Sequence, residues 1–333
     1  MIENPPKKGY DKIMRKVLIT GCAGFIGSNL ADACIEEGWV VHGVDDMSNG
    51  NNSFVNQELD LFIRDDFSSD SVKNLISKHQ HDVIFHLAAV PRVGYSVEHP
   101  AETNDTNVTK TLKLMEMCRE KVGRFVFASS SSVYGGTEIL PTTEDMPKNP
   151  KSPYALQKSV IEDYLTMYGE LHEFDSISLR FFNVFGPRAL GTSPYATALA
   201  SWLTAIKQGK PMRSDGDGTQ SRDLCFVDNV VDGCIQAARL IPECFGGRFN
   251  ISSGTRTTNR EILSYLLNRY DGSTYVDAPV RPGDVKHTHA SFEKARSTFG
   301  YFPKVDPWEG IERTCDWYDE NWDSIKTFNS LRV

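Results

Sequence analysis

The sequence predicts an α/β fold in which a doubly wound parallel sheet carries a second, smaller mixed α/β domain. Three observations predict it. Strand-like apolar runs at 17–20, 39–44, 59–63, 82–87, 124–129 and 177–182 alternate with helix-like segments near 25–37, 68–79, 101–120 and 153–172, and such alternation places helices on both faces of a parallel sheet. Glycines cluster at the first strand-to-helix turn, Gly21-Cys22-Ala23-Gly24-Phe25-Ile26-Gly27. After Gly186 the texture changes to loops rich in Pro and Gly with shorter helical stretches between them, which marks where a second domain begins.

The first run, Val17 to Thr20, leads into the glycines, and the helix-like stretch follows them. Glycines between a buried strand and a helix let the backbone approach a pyrophosphate, whose charge meets free amides and the positive end of the helix dipole. A glycine string alone also fits a structural turn. The next run, Trp39 to Val44, ends in Asp45, where a carboxylate can accept hydrogen bonds from both adenosine ribose hydroxyls, and this favours a Rossmann dinucleotide site. Residues 46–63 contain no Arg or Lys. A 2′-phosphate would meet the Asp45 charge with no cation nearby in sequence, so the cofactor reads as NAD rather than NADP.

Ile161, Tyr164, Leu165, Tyr168 and Leu171 fall at helical spacing, giving the fourth helix an apolar face that either packs inward or pairs with a partner helix. Phe226 to Leu240 and Arg248 to Ile251 again look like a helix and a strand. The chain is therefore expected to return to the nucleotide domain. That assigns residues 16–182 with about 223–252 to the Rossmann domain, 183–222 with about 253–333 to the substrate domain, and 1–15 to an N-terminal extension.

With 333 residues the chain buries enough surface for one large domain or two joined ones. Its formal net charge of -8 argues against non-specific binding to nucleic acid or to an anionic membrane, and an anionic substrate would need placed arginines. Met1 to Lys16 carries Lys7, Lys8, Lys12, Arg15 and Lys16 but no apolar core, which reads as a basic extension rather than a signal peptide. No stretch reads as a membrane span. The seven cysteines are odd in number and lack Cys-x-x-Cys spacing, so they predict free thiols in a reducing cytoplasm and no metal site.

Tyr154 and Lys158 lie one helical turn apart, on the same helix face. An ordinary amphipathic surface has that spacing too, but here it accompanies the glycine loop and the serine run Ser129 to Ser132. A free tyrosine has a pKa of about 10. A neighbouring ammonium and an oxidised nicotinamide would stabilise the phenolate, making it a usable base. Ser130 completes the catalytic set, its hydroxyl bonding a substrate oxygen while the tyrosine takes or returns the proton. His86, after the run 82–85, reads as a satisfied strand-end histidine.

These motifs together resemble the extended short-chain dehydrogenase/reductase family and, within it, the nucleotide-sugar 4-epimerases. The resemblance runs from about Lys16 to Gly310 and rests on the glycine loop, His86 to Ala89, Asn104 to Asn107, Ser129 to Gly135, Ser152 to Tyr154, Arg180 to Asn183, Arg222-Asp223 and Arg281 to Asp284. It implies NAD contacts from Gly21, Gly24, Phe25, Ile26, Gly27, Asp45, Asp46, Asp66, Phe67, Leu87, Ala88, Ala89, Asn107, Tyr154, Lys158 and Phe182. It implies that Ser130, Ser131, Asn183, Arg222, Arg281, Asp284 and Thr288 hold a UDP-sugar. The arginines also make sense independently, because a guanidinium fork matches paired phosphate oxygens. The resemblance further implies a homodimer joined by the helices at 101–120 and 153–172.

Members of that family begin by oxidising carbon 4 of the sugar. Dehydratases then use an Asp-Glu pair after the active-site Ser or Thr, and glucuronate decarboxylases a Glu at the position of Ser132; this chain has Ser131-Ser132. Without an acid pair, the implied outcome is rotation of the keto sugar and return of the hydride, which is 4-epimerisation. UDP-glucuronate 4-epimerases have Thr in place of Asn183 and Arg in place of Leu190. Burying the carboxylate without a cation costs several kcal/mol, which ranks that substrate second, with Arg188 as the residue that would rescue it. Plain hexose 4-epimerases carry a bulky Tyr at the position of Thr288. The small Thr288 resembles enzymes of acetylated sugars and favours UDP-N-acetylglucosamine/UDP-N-acetylgalactosamine over UDP-glucose/UDP-galactose. An NAD-sensing regulator without chemistry is the rival from a different class, and it would be expected to lack the tyrosine or the lysine.

Overall fold

The computed structural model describes residues 15–191, 197–241, 243–280 and 285–326. Strands β1 (Lys16–Thr20), β2 (Val40–Val44), β3 (Leu61–Ile63), β4 (Val83–His86), β5 (Arg124–Ser130) and β6 (Ser176–Phe181) join one sheet. Four short strands follow: β7 (Val184–Phe185), β8 (Met212–Asp215), β9 (Ser221–Arg222) and β10 (Cys225–Phe226). Strand β11 (Phe245–Ile251) then returns to the sheet beside β6, with Asn250 opposite Arg180, to give the order β11-β6-β5-β4-β1-β2-β3. Every pairing is parallel.

Strand β1 shows why both faces are covered. Val17 and Ile19 belong to a core beneath α1 (Phe25–Glu36) and α8 (Val227–Arg239), while Leu18 points into a second core with α2 (Asp70–His79), α5 (Thr111–Cys118) and α6 (Pro153–His172). Alternate residues of a strand face opposite sides, so a strand buried on both must be apolar throughout. The strand order reverses direction at β1 and β4, and the crevice outside their carboxyl ends is where such sheets bind ligands.

The expected helix at 101–120 is three pieces. After α3 (Val93–Glu98), α4 (Pro100–Asn104) passes into a π-helical stretch, Asp105–Lys110, and then into α5. Within that stretch Asn107 is buried and gives its side chain to the Val90 backbone, accepting from the amide at 2.8 Å and donating to the carbonyl at 3.0 Å. The altered winding turns this residue towards the loop after β4.

The remaining elements are α7 (Ala198–Lys207), β12 (Thr257–Thr258), α9 (Asn259–Arg269), β13 (Tyr275–Ala278), α10 (Glu293–Phe299) and α11 (Pro307–Lys326). Beyond the main sheet, β8 pairs with β13 in parallel and β9 with β12 in antiparallel fashion. Residues 286–291 run as a strap between two elements: Ser221 N donates to Lys286 O, Thr288 N to Ser221 O, and Ser291 N to Thr142 O. Among the described residues no helix is long and apolar enough to cross a membrane. The basic extension lies outside the described residues apart from its last position.

Candidate active site

A cleft of about 1560 Å³ opens along the carboxyl ends of the central strands, and residues from both the sheet and the strap line it. At its floor is the glycine turn. Gly21 has φ +74°, and a Cβ there would stand 2.9 Å from the Ala88 nitrogen; a Cβ on Gly27 would meet the Gly21 oxygen at 2.0 Å. Only hydrogen fits at either position. The turn leaves the first amides of α1 uncovered, since Gly24 at the N-cap provides no side-chain cap, and such amides suit a phosphate.

Asp45 stands near this turn, at the end of β2. Its carboxylate accepts from Ala23 N at 3.0 Å and Met47 N at 2.9 Å while bordering the cleft. Gly50 is a residue the sequence reading did not single out; a Cβ on it would approach the Asp45 carboxylate oxygen to 2.6 Å. Its signal was the turn-like cluster Asn49-Gly50-Asn51. These features fit a dinucleotide. Gly21, Gly24, Phe25, Ile26, Gly27, Asp45, Asp46, Phe67, Leu87, Ala88, Ala89 and Phe182 all border the cleft.

Two residues expected to touch the cofactor, Asp66 and Asn107, are not among those that line the cleft. Asp66 does not border the cleft; its carboxylate takes Lys110 Nζ at 2.7 Å and the Ser68 amide and hydroxyl at 2.8 and 2.7 Å, and Asp65 lines the cleft instead. Asn107 is likewise absent from the lining, holding Val90 from behind and donating to Gln157 Oε1 at 2.8 Å. Both side chains are consumed by neighbours in the fold.

Helix α6 begins at the cleft. Ser152 caps it by accepting from Ala155 N, and Pro153 occupies the first turn, where its missing N–H costs nothing. Tyr154 is therefore fixed at the helix start, with its amide donating to Ser96 Oγ at 3.1 Å. Burial pushes the Tyr154 phenol up to about 12, opposed by a hydrogen bond with Ser130. Ser130 ends β5 and accepts from Ser132 N at 3.2 Å. Burial pulls Lys158 down to about 7, opposed by the charge of Glu162. Lys158 does not bond the phenol in this state: its Nζ donates to Ala128 O at 2.7 Å and lies 5.9 Å from the Tyr154 ring centre.

Ser131, Asn183, Arg222 and Thr288 also line the cleft. Asn183 has φ +36° and donates through Nδ2 to Asp223 O and Thr288 Oγ1, both at 2.9 Å. Thr288 Oγ1 also accepts from Asp223 N at 3.0 Å. Arg222 reaches back to the Ser221 and Lys286 carbonyls at 3.1 Å. Arg281 and Asp284 lie outside the described residues. Arg188 borders the cleft but pairs with Asp32 of α1 at 2.5 Å. His86 is buried between Thr20 and Thr111 hydroxyls at 2.8 and 2.9 Å, and burial holds its pKa near about 3.

Residues 17–252 match the model of the NAD dependent epimerase/dehydratase family. The chain belongs to that family. Its cofactor is NAD, which accepts and returns a hydride. This epimerase/dehydratase family member is 36% identical over 312 residues, 91% of the chain and 98% of the relative, to a UDP-glucose 4-epimerase of Mycolicibacterium smegmatis. Among solved structures it resembles a UDP-N-acetylglucosamine 4-epimerase from Methanobrevibacter ruminantium in complex with UDP-N-acetylmuramic acid. There the TM-score is 0.86 and the identity 32%, over 92% of this chain and 99% of that one. A UDP-glucuronic acid 4-epimerase from Bacillus cereus in complex with UDP-glucuronic acid and NAD gives a TM-score of 0.83 at 29% identity, with the same coverage of 92% and 99%.

Proposed function

We propose that this epimerase/dehydratase family member is a UDP-sugar 4-epimerase whose preferred pair is UDP-N-acetylglucosamine and UDP-N-acetylgalactosamine, with UDP-glucose and UDP-galactose also accepted. The observation that carries the reading is the meeting of Ser130, Tyr154 and Lys158 in the same cleft as the glycine turn and Asp45, with no acid at positions 131 and 132. Tyr154 takes the proton of the sugar 4-hydroxyl, Ser130 holds the same oxygen, and the Lys158 charge favours the phenolate. NAD bound in the cleft would take the hydride of carbon 4 as this proton leaves and return it to the other face of the turned keto sugar, while Tyr154 gives the proton back. Asn183 and Arg222, with Arg281 and Asp284, are proposed to hold the nucleotide diphosphate. Residues 183–222 and 253–333 are proposed as the substrate domain.

Thr288 supports the acetylated pair: it is small, faces the cleft and is anchored by two hydrogen bonds. UDP-glucuronate is the second reading. Against it, Arg188 is engaged by Asp32, and Leu190 lines the cleft where an arginine would serve. Purified protein incubated separately with each of the three UDP-sugars and followed by proton NMR tests this. Formation of the galacto epimer from UDP-N-acetylglucosamine is expected, whereas conversion of UDP-glucuronate alone would overturn the substrate assignment. Thr288→Tyr should spare UDP-glucose and exclude the acetylated sugar; equal loss of both would refute the gate.

We also propose a homodimer. Leu156, Met167 and Leu171 of α6 are exposed, with Val93 and Val97 of α3 nearby in the chain's catalytic half, and light scattering reads the state directly. All seven cysteines are free thiols, which supports a cytoplasmic setting.

A further inference from the structure

Helix α6 grips strand β5 at two successive residues. Lys158 Nζ donates to the Ala128 carbonyl at 2.7 Å, and one turn later the Glu162 carboxylate accepts from Ser129 Oγ at 2.6 Å. The next residue along the strand is Ser130. Glu162 is fully buried and touches none of the cleft, yet its charge is the one that holds a proton on Lys158 against burial.

The groups around this carboxylate are charged on several elements. From β6, Arg180 donates to it through Nε at 2.8 Å and Nη2 at 2.7 Å, while Arg180 Nη1 donates to the Tyr134 hydroxyl at 2.7 Å. From β11, Arg248 Nε stands 3.6 Å away. Tyr134 donates to Asn250 Oδ1 at 2.7 Å, and the Asn250 amide donates to Glu144 at 2.7 Å. Around Lys158 itself stand Tyr154, Glu162 and the buried His86, which feels the ammonium as a repulsion. One buried anion is thus set between two guanidinium groups on one side and the lysine on the other.

We propose that Glu162 is a positioning residue of the catalytic site: it keeps Lys158 charged and locks the Ser129-Ser130 strand end against α6, with Arg180 as the counterweight that limits its field. This rests on the roles of Tyr154, Lys158 and Ser130 given above. The two arginine-side and glutamate-side changes then act with opposite sign. Glu162→Gln leaves two guanidinium groups facing Lys158 with no anion between, so the lysine loses its proton at lower pH. Arg180→Met leaves the anion less compensated, so the lysine keeps its proton to higher pH.

The experiment is the pH dependence of kcat/KM for UDP-N-acetylglucosamine and UDP-glucose turnover, with melting temperature and retained NAD recorded for each variant. The alkaline limb is expected to move down by about one pH unit in Glu162→Gln and up by a similar amount in Arg180→Met, a size ordinary for a nearby charge. A purely structural pair would lower rate and stability in both variants and leave the limb in place, or move it the same way in both; either result overturns the proposal. Should neither variant fold, Ser129→Ala decides. It removes one hydrogen bond to Glu162, and a limb displaced upward supports the proposal while an unmoved limb refutes it. Lys158→Met with wild-type turnover would instead fault the catalytic assignment, which keeps the two failures distinct.

Discussion

Arg124 and Arg180 lie on neighbouring strands, each buried and each gripping a carboxylate through two nitrogens, but at opposite ends of the sheet. Arg124 begins β5 and donates to Asp175 through Nε at 3.0 Å and Nη2 at 2.8 Å. Its remaining nitrogen donates to the Ala237 and Leu240 carbonyls, at 2.8 and 2.7 Å, so that α8 is tied to the strand bases. Arg180 stands opposite Ser129 in register, near the end where the cleft opens. The chemistry is one and the same, and what differs is the neighbour. At the base an ion pair fastens helix to strand; at the cleft the same device sits one helical turn from Lys158. Burying a charge pair is a weak source of stability in itself, so the value of each pair lies in what it holds still.

The contrast is sharpened first by removing a single oxygen at the cleft end. Tyr154→Phe should lower kcat by about a thousandfold, within the range for loss of a general acid-base group, while melting temperature and bound NAD stay near wild type. Wild-type turnover in that variant would end the catalytic assignment. Next comes Arg124→Met at the base. Leaving the half-buried Asp175 carboxylate with, among the described residues, only the Cys244 amide as donor should destabilise the fold by about 3 kcal/mol, measured by urea unfolding, with kcat per folded molecule unchanged; a large fall in kcat with intact stability would erase the distinction between the two ends.

A gentler probe of the non-catalytic side is pH. His42 and His81 are buried with 2.9 Å between ring nitrogens; burial, aided by neighbouring histidines and Lys16, pushes them down to about 4 and about 3. Their pKa values are lower in the folded than in the unfolded chain. The stability they leave intact is full above the unfolded value of about 6.5 and is lost as pH falls through the interval below it, because only the unfolded chain binds the protons. Unfolding midpoints should therefore drop between pH 6.5 and 4, and His42→Gln should flatten that slope. A midpoint independent of pH across the interval would show that these rings are not buried as neutral species.

Much of this was legible in the sequence, because it is local. The strand-helix alternation, the glycine turn, the acidic residue ending β2 and the Tyr154-Lys158 spacing each depend on residues within a few positions, and the structure brings them to one cleft. What escaped depends on partners far along the chain. The winding of Asp105–Lys110 answers to Val90, and Asp66 is turned from the cleft by Lys110. Glu162 reads as any polar helix residue until Arg180 and Ser129 are set beside it. The apolar pattern of α6 left packing inward or pairing with a partner helix open; Ile161 and Leu165 are fully buried in the core, whereas Leu171 is largely exposed.

Strand β11 pairs with β6 across the whole segment that carries α7, β8, β9, β10 and α8. During synthesis, then, the sheet has a raw edge at β6 until residue 251 has left the ribosome, and Arg180 faces that edge before Asn250 arrives. A fragment ending after β6 would expose an unpaired strand edge of the kind that invites aggregation. The seven-stranded sheet is consequently not completed by the N-terminal segment alone. Its last strand, β11, comes only after the chain has laid down β7 to β10, α7 and α8.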